Sequence, residues 1–204
     1  MASTQIRIGP ADHGRRMTLD EFREADEEPG HRYELARGVL EVNAIPKTPH
    51  RRVVSTLFSL AAIYQREHPG VIDYFGGGTE VRIWKPGMDM ARHPDFGIVF
   101  LNAPLDEVGD IRPYLVAEVV SRSSQARDYR DKRQDYLDYG VPEYWIVDPS
   151  RRQVTVLVRR EYEAGADWEE RIVPEAGVLE SPLLPGLAFP VADLWAGVGL
   201  GELD

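Results

Sequence analysis

The sequence predicts a mixed α/β protein with a central sheet and a helix on each side of it. Residues 114–120 and 143–147 are apolar segments of strand length, and the helical segment 125–139 between them predicts a crossover unit. Residues 96–101 form another apolar run without alternation, as in a central strand that is covered on both faces. Residues 50–68 repeat apolar side chains at helical spacing and predict the second covering helix.

Length and composition favour one ordinary globular domain. The chain has 204 residues, of which 43% are hydrophobic and 28% are charged, so it contains enough apolar material for a sizeable core. We expect residues 1–16 to be a flexible N-terminus and residues 17–204 to form a single domain. The formal net charge of −10 argues against a protein that coats nucleic acid non-specifically, because phosphate binding depends on lysine and arginine.

No targeting or membrane segment is visible in the sequence. The chain begins without the apolar core of a signal peptide, and no run reaches the ~18 apolar residues of a membrane span. The absence of cysteine excludes disulfides, thiolate metal sites and thiol nucleophiles, and it agrees with a reducing compartment. We therefore expect a cytoplasmic protein with no membrane partner.

The N-terminal third predicts a short helix, a hairpin and a long helix. Thr18 with Glu21 three residues later is the signature of a capping box at a helix start. Residues 33–35 and 39–42 flank an Arg-Gly pair and predict the two strands of a hairpin. A Pro-Gly pair then ends the long helix 50–68.

The middle and end of the chain predict further strands and irregular segments. Residues 76–78 are three glycines, which we interpret as a flexible turn or bulge, since neither a Gly-Lys-Ser/Thr sequence nor a helix start follows for a phosphate loop. Residues 79–84 alternate in polarity and predict a strand. Residues 153–159 and 168–173 predict a C-terminal hairpin, which precedes an irregular segment and a weak last turn at residues 191–195.

Glu118 is a charged residue inside an apolar strand. Burying an unpaired carboxylate there costs several kcal/mol, so it must be paired, hydrogen-bonded or bound to a metal. Because side chains alternate along a strand, Glu118 shares its face with Val116 and Val120 and is the only ionisable group on that face. Asp95 begins an earlier strand, at a sheet end that can open to a cavity. Two carboxylates on neighbouring strands suit Mg²⁺ or Mn²⁺, although a cap, a turn or an ion pair is the ordinary alternative for each acid.

One face of the helix 125–139 carries a second set of polar side chains. Asp128, Lys132 and Tyr136 are spaced four residues apart, so they lie on one face that can turn towards the sheet. An ordinary ion pair between Asp128 and Lys132 is one interpretation. The functional interpretation is that Lys132 reaches the cation site and orients the attacking water or stabilises developing charge.

Two basic clusters flank the candidate acids. In one, residues 122–133 contain five basic and two acidic side chains. The second consists of Lys47, His50, Arg51 and Arg52. A solvated helix face is the ordinary interpretation of each cluster, and a local basic groove is the functional one.

Taken together, these residues resemble the Uma-two family of restriction-endonuclease-like proteins, within the PD-(D/E)xK nuclease superfamily. The matching motifs are Pro94-Asp95, Glu118 with the Val-Val-Ser after it, Asp128 with Lys132, and Gly-Val-Pro-Glu-Tyr-Trp-Ile-Val-Asp-Pro at residues 140–149. Further matches are Tyr33-Glu34-Leu35, Gly38, His50 and Leu184-Pro185-Gly186-Leu187. The resemblance covers most of the chain.

The resemblance implies a restriction-endonuclease-like αβββαβ core, with a mixed central sheet flanked by helices and with N-terminal and C-terminal hairpins. It implies that Asp95 and Glu118 bind the metal, Mg²⁺ or Mn²⁺, and that Glu34 is an accessory acid nearby. The superfamily usually has a lysine two residues after the glutamate, where this chain has Val120. In this particular family the resemblance implies that the lysine has moved to the helix, which makes Lys132 the candidate.

The leading hypothesis is a metal-dependent endonuclease that hydrolyses phosphodiester bonds in DNA, with Asp95, Glu118, Lys132 and Glu34 as its catalytic residues. We expect a homodimer, because a duplex has two strands and dimers are the commonest assembly. The alternative is a non-catalytic module that keeps the fold for assembly or nucleic-acid binding. The presence of Asp95, Glu118 and Lys132 together argues against this alternative, because a degenerate site has no reason to keep all three. A glycosidase with paired carboxylates has little support, because the acids lie on strands of the implied nuclease core.

Overall fold

A six-stranded sheet with a helix on either face forms the centre of the protein, and a four-stranded sheet lies beside it. The computed structural model describes residues 6–159 and 167–196. Its helices and strands are, in chain order, β1 (Arg7–Ile8), α1 (Leu19–Arg23), β2 (Asp26–Glu27), β3 (His31–Ala36), β4 (Val39–Ala44), α2 (Thr48–Glu67), β5 (Ile72–Gly76), β6 (Ile83–Lys85), β7 (Met90–Arg92), β8 (Phe96–Phe100), β9 (Leu115–Val119), α3 (Lys132–Tyr139), β10 (Glu143–Asp148), β11 (Gln153–Val158), β12 (Glu169–Pro174), β13 (Val178–Glu180) and β14 (Ala188–Pro190). A π-helical turn, Arg127–Asp131, leads into α3, and a short 3-10 helix, Val191–Trp195, follows β14. Among residues 6–159 and 167–196, none of the helices has both the length and the apolar character that a membrane crossing requires.

The large sheet is mixed, as the sequence predicts. Its strand order is β12-β11-β10-β9-β8-β5. β9 and β10 pair in parallel, and the other neighbours pair antiparallel. The parallel pair is joined through α3, which confirms the predicted crossover. The fold class predicted from the sequence is therefore correct.

Alternation along β9 divides the core between the two faces of the large sheet. Leu115, Ala117 and Val119 pack in one buried cluster with side chains of α2. Val116 and Val120 pack in a second cluster with Tyr136 and Tyr139 of α3. Glu118 belongs to the face of Val116 and Val120, so its side chain points towards α3.

The small sheet has the order β4-β3-β7-β6 and contains the predicted hairpin. Arg37 and Gly38 form its two-residue turn, with φ values of 49° and 78°. Positive φ at both central positions is the type I′ turn, whose twist matches that of the flanking strands. The Arg37 guanidinium donates hydrogen bonds to Asp135 Oδ1 at 2.7 Å and Asp138 Oδ2 at 2.6 Å, which ties this turn to α3.

Residues 79–82 differ from the sequence prediction, because the strand begins only at Ile83. The glycine turn docks against the start of β8: the Gly78 N–H donates to the Pro94 carbonyl at 2.8 Å. A Cβ at Gly77 would overlap the Asp95 carbonyl oxygen, so glycine is needed for this approach. Residues 79–82 therefore turn instead of forming a strand. The glycines form a turn from which no helix begins, in agreement with the interpretation of residues 76–78 from the sequence.

Two short sheets were not foreseen from the sequence. β1, which lies in the segment 1–16 expected to be flexible, pairs in parallel with β2, and Ile8 is buried with Phe22 and Tyr33. β13 pairs with β14, and this pair buries Leu179 and Phe189 against the α2 side of the large sheet. Both pairs depend on tertiary burial of isolated apolar residues, which local periodicity does not reveal.

Candidate active site

Strand pairing brings two predicted acids together. In the antiparallel pair of β8 and β9, Phe96 lies opposite Ala117. Extending this register by one residue sets Asp95 opposite Glu118 on the same face. The Val119 backbone N–H donates to Asp95 Oδ2 at 2.9 Å, which holds the Asp95 carboxylate against β9.

Lys132 reaches these strands from α3. Its Nζ donates hydrogen bonds to Glu118 Oε1 at 2.8 Å and to Glu34 Oε1 at 3.1 Å. One turn later, the Tyr136 hydroxyl donates to the same Glu118 oxygen. Glu34, Glu118 and Lys132 are all buried. The helix therefore supplies the amine that the strand position of Val120 lacks.

Asp95 is held by two further basic side chains. Its Oδ1 accepts a hydrogen bond from Arg32 Nη1 at 2.7 Å, and its Oδ2 lies 2.9 Å from His50 Nε2. Burial alone would raise the pKa of the Asp95 carboxyl, but His50 and Arg32 hold that pKa well below its usual range. An ionised carboxylate only accepts hydrogen bonds, so Nε2 is the donor in the His50 contact.

The other buried charges show an excess of carboxylates in this region. Burial raises the pKa of Glu118 to about 8, although the Lys132 charge opposes this shift. Burial would also raise the pKa of Glu34, but Lys132 and Arg92 lower that pKa to about 2. Burial favours a lower pKa for Lys132, yet Glu118 and Glu34 hold that pKa above its ordinary value. Lys132 is thus a cation at neutral pH, and Glu118 is the acid whose ionised form is least stabilised, so it binds a proton more tightly than an ordinary glutamate.

The ion pair between Asp128 and Lys132, the ordinary interpretation of their spacing, is not formed among the described residues. The Asp128 Oδ2 atom accepts a hydrogen bond from Ser124 Oγ at 2.5 Å, while in the described part of the chain Lys132 forms its ion pairs with Glu34 and Glu118. Asp128 lies in the π-helical turn, a local feature often found at functional sites. Burial raises the pKa of Asp128 to about 6.

All four predicted site residues line one cavity of about 450 Å³. One wall is the segment from Asn43 to His50, between β4 and the first turn of α2, and the opposite wall includes residues 121–124. Arg127 Nη1 donates to Asn43 Oδ1 at 2.6 Å and so bridges the two walls. Glu34, Asp95, Glu118 and Lys132 come from four separate segments of the chain, and the fold brings them to the same cavity.

Sequence reasoning missed two arginines of this region. Arg32 lies two residues before Glu34 on β3, so strand alternation indicates that both point to one side of the sheet. Arg92 is fully buried and donates from Nη1 to Glu34 Oε2 at 3.3 Å and from Nη2 to Asp135 Oδ2 at 2.8 Å. Its strand has only three residues, so its sequence contains no periodic signal.

The donor atoms of this cavity fit a hard divalent cation. Asp95 and Glu118 face each other when the β8–β9 register is extended by one residue, and burial raises the pKa values of Glu118 and Asp128 by disfavouring their ionised forms, which a nearby cation would stabilise. Across residues 6–159 and 167–196, no group of three or more His, Cys, Asp or Glu side chains is arranged for a metal ion. Asp95 and Glu118 are the side chains that would hold such a cation, and Mg²⁺ in catalytic sites usually keeps several water molecules beside one or two carboxylates.

Comparisons with known proteins identify the family and the fold of this chain. The model of the Uma2 family, described as "Putative restriction endonuclease", matches residues 19–192. A solved structure of similar fold is that of "a putative nuclease belonging to DUF820 from Anabaena variabilis ATCC 29413", with 20% sequence identity and a TM-score of 0.68 over 88% of this chain and 98% of that chain. At this identity the likeness shows the fold alone. None of the curated proteins matches the chain. Since the family match includes both sheets and every residue of the candidate site, the chain belongs to the Uma2 family and has a nuclease fold.

Proposed function

We propose that this protein is a metal-dependent endonuclease that hydrolyses phosphodiester bonds in DNA. Asp95 and Glu118 bind the metal, Lys132 assists the reaction, and Glu34 is the accessory acid. One observation supports the proposal above all others: an amine from a helix and carboxylates from three strand regions meet in one cavity, in a chain that belongs to a family described by endonuclease activity.

The side chains have distinct roles in this proposal. Mg²⁺ or Mn²⁺ would polarise the phosphate and lower the pKa of a bound water. Lys132, held as a cation between Glu118 and Glu34, donates hydrogen bonds to the charge that develops on the phosphate oxygens. Arg32 and His50 keep Asp95 ionised, and Tyr136 fixes the orientation of Glu118. Because these groups are buried, the electrostatic interactions among them are weakly screened.

Plasmid and oligonucleotide cleavage with Mg²⁺ or Mn²⁺ tests this proposal, with EDTA as the metal-free control. We expect Glu118→Gln, Asp95→Asn and Lys132→Met each to reduce the cleavage rate by about 100-fold or more, the effect of removing a group that stabilises transition-state charge. Asp20→Asn is the matched control, because Asp20 is an exposed acid at the start of α1, outside the cavity. Absence of cleavage with both metals, or equal cleavage by the wild type and Glu118→Gln, would contradict the proposal.

A non-catalytic module is the second candidate, and one observation favours it. The ion pairs from Lys132 to Glu118 and from Arg32 to Asp95 satisfy both acids without a metal. Calorimetric titration with Mn²⁺ distinguishes the two functions. Binding that is lost in Asp95→Asn supports the nuclease, whereas no heat of binding at millimolar Mn²⁺ supports the module.

The assembly and location are proposed separately. We propose a homodimer, because two-fold dimers are the commonest assembly of soluble proteins, and a cytoplasmic location. Light scattering after size-exclusion chromatography measures the mass directly, and a monomer at all concentrations contradicts the dimer.

A further inference from the structure

The reactive groups of the candidate site lie at the bottom of a recess. Glu118 is 2% exposed, Lys132 is 4% exposed, and Asp95 is 8% exposed. The walls that stand over them are tied together by the hydrogen bond from Arg127 to Asn43. A phosphate that reacts at Glu118 must therefore enter between two linked walls.

A second cavity meets the first one at Asp95. It has a volume of about 550 Å³ and shares with the first cavity the residues Arg32, Pro46, His50 and Asp95. From there it follows α2, past Val54 and Phe58, to the glycine turn at residues 77–78. The two cavities form one track that passes the proposed metal-binding residues. We call this surface the track.

The lining of the track contains basic side chains and apolar surface besides the acids of the candidate site and Glu80. Basic side chains occur in both cavities, including Arg51 in the second and Arg127 in the first, although the whole chain has a formal net charge of −10. Ile45 in the first cavity is 54% exposed, and Phe58 in the second packs edge-on against Phe96. Single-stranded nucleic acid binds to this combination, because phosphates pair with basic residues while unpaired bases pack on apolar and aromatic side chains.

We expect an intact duplex to enter the track less readily than a single strand, because Glu118 and Lys132 are buried at the bottom of the recess. The major groove is ~12 Å wide and admits one helix or one two-stranded ribbon, whereas the minor groove is only ~6 Å wide. For a duplex phosphate to reach Glu118, both walls would have to enter the grooves on either side of one backbone. A single strand has no such restriction, since its backbone can bend and its bases can turn outwards.

We propose that the substrate is single-stranded DNA, or the single-stranded part of a frayed or overhanging duplex. The strand lies along the track with one phosphate at Asp95 and Glu118 and with bases beside Val54 and Phe58. The inference rests on the proposed function for its chemistry, but binding of the strand is measured independently of cleavage.

Fluorescence anisotropy tests the track with a labelled oligonucleotide of about 16 nucleotides, the upper site size of single-strand binding folds. The same sequence is presented as a single strand, as a blunt duplex and as a duplex with an overhang, with Ca²⁺ replacing Mg²⁺. We expect the single strand and the overhang to bind at least tenfold more tightly than the blunt duplex. Arg51→Ala is expected to weaken single-strand binding about tenfold, the effect of losing one hydrogen bond to a charged group.

Arg66→Ala is the matched control for this experiment. Arg66 is an exposed arginine on the same helix and lines neither cavity, so its loss removes the same charge outside the track. Equal affinity for blunt duplex and single strand, or equal effects of the two arginine variants, overturns the inference.

Cleavage in Mn²⁺ separates this inference from the proposed function. Cleavage of blunt duplex at the single-strand rate keeps the nuclease and overturns the single-strand substrate. Tight, Arg51-dependent binding of the single strand without any cleavage supports the track and overturns hydrolysis. If no DNA binds and none is cut, both proposals fail.

Discussion

At the scale of single residues, Lys132 is the side chain on which the buried charges depend most. Its amine is the shared hydrogen-bond donor of Glu34 and Glu118, which lie on different sheets. Each of these acids retains another partner, Arg92 for Glu34 and Tyr136 for Glu118. Lys132 forms an ion pair with each of them, so its removal leaves both carboxylates with less compensation.

We predict that Lys132→Met lowers the free energy of unfolding by about 3–5 kcal/mol, the usual effect of removing one partner from a buried ion pair. Methionine keeps the length of the side chain but leaves Glu118 without its nearest cation. The double variant Lys132→Met with Glu118→Gln should recover part of this loss, because one uncompensated acid is also removed. Urea unfolding of the wild type, both single variants and the double variant measures the coupling energy between Lys132 and Glu118. If the stability losses of the two single variants simply add in the double variant, the two side chains do not interact.

The sequence predicted part of this arrangement at the residue scale. Glu118 was identified because a charge inside an apolar strand needs compensation, and Lys132 because helical spacing and the family resemblance both place it towards the sheet. Arg92 was not identified, because its partners, Glu34 and Asp135, are 58 and 43 residues away in the chain. No local pattern encodes such long-range pairing.

At the scale of elements, Arg92 joins the small sheet to α3. The guanidinium on β7 contacts Glu41 Oε2 at 2.6 Å, Asp135 Oδ2 at 2.8 Å and, at a longer distance, Glu34. Arg37 in the hairpin turn donates to the other Asp135 oxygen. The helix that presents Lys132 is therefore held against the hairpin that presents Glu34.

We predict that Arg92→Met lowers the free energy of unfolding by about 3–5 kcal/mol, because it leaves several buried carboxylates with less compensation. Arg82→Ala is the matched control. Arg82 pairs with Asp110 in a partly exposed position, so we expect its loss to change stability by no more than about 1 kcal/mol. Chemical denaturation compares the two variants. A loss in Arg92→Met no larger than that in Arg82→Ala would show that Arg92 does not hold the elements together.

Helices and strands were predictable from the sequence where the apolar pattern extended over many residues. The crossover strands and their helix were predicted within a few residues, because burial on both faces gives continuous apolar runs. The strand expected at residues 79–84 begins only at Ile83, because docking of the glycine turn against β8 overrides the local alternation of residues 79–82. β13 and β14 are only three residues each, and at that length periodicity carries little information.

At the scale of the whole molecule, the C-terminal segment completes the core on the α2 side of the large sheet. Leu184, Phe189 and Leu194 join the buried cluster there. Glu143 on β10 anchors this segment: Ser181 Oγ donates to its Oε2 at 2.7 Å, and Trp145 Nε1 donates to its Oε1 at 2.6 Å. A buried acid thus links the large sheet to the end of the described chain.

The Glu143 anchor predicts a pH dependence of stability. Burial raises the pKa of Glu143 to about 7 from its ordinary value of 4.5, although Ser181 and Trp145 oppose the shift. The folded protein therefore binds this proton more tightly than the unfolded chain, so the contribution of Glu143 to stability falls as the pH rises from about 4.5 to about 7. The limiting slope is about 1.4 kcal/mol per pH unit, and the effect levels off above pH 7.

The Glu143→Gln variant tests whether the contribution of Glu143 to stability falls as the pH rises, because glutamine does not titrate. Urea unfolding of both proteins between pH 4.5 and pH 8 measures the difference in their free energies of unfolding, in which the other titrating groups largely cancel. We expect the variant to gain stability relative to the wild type as the pH rises through this range. Parallel curves would contradict the raised pKa.

The hydrogen bonds from Lys132 to acids on two different sheets also have a consequence during synthesis of the protein. Glu34, Asp95 and Glu118 all leave the ribosome before Lys132 does, and the amine contacts Glu34 and Glu118 only when both sheets are in place. An incomplete chain thus holds these acids without their shared cation. Under the proposed function, such a chain would lack the amine that assists hydrolysis, so cleavage of DNA would await the folded protein.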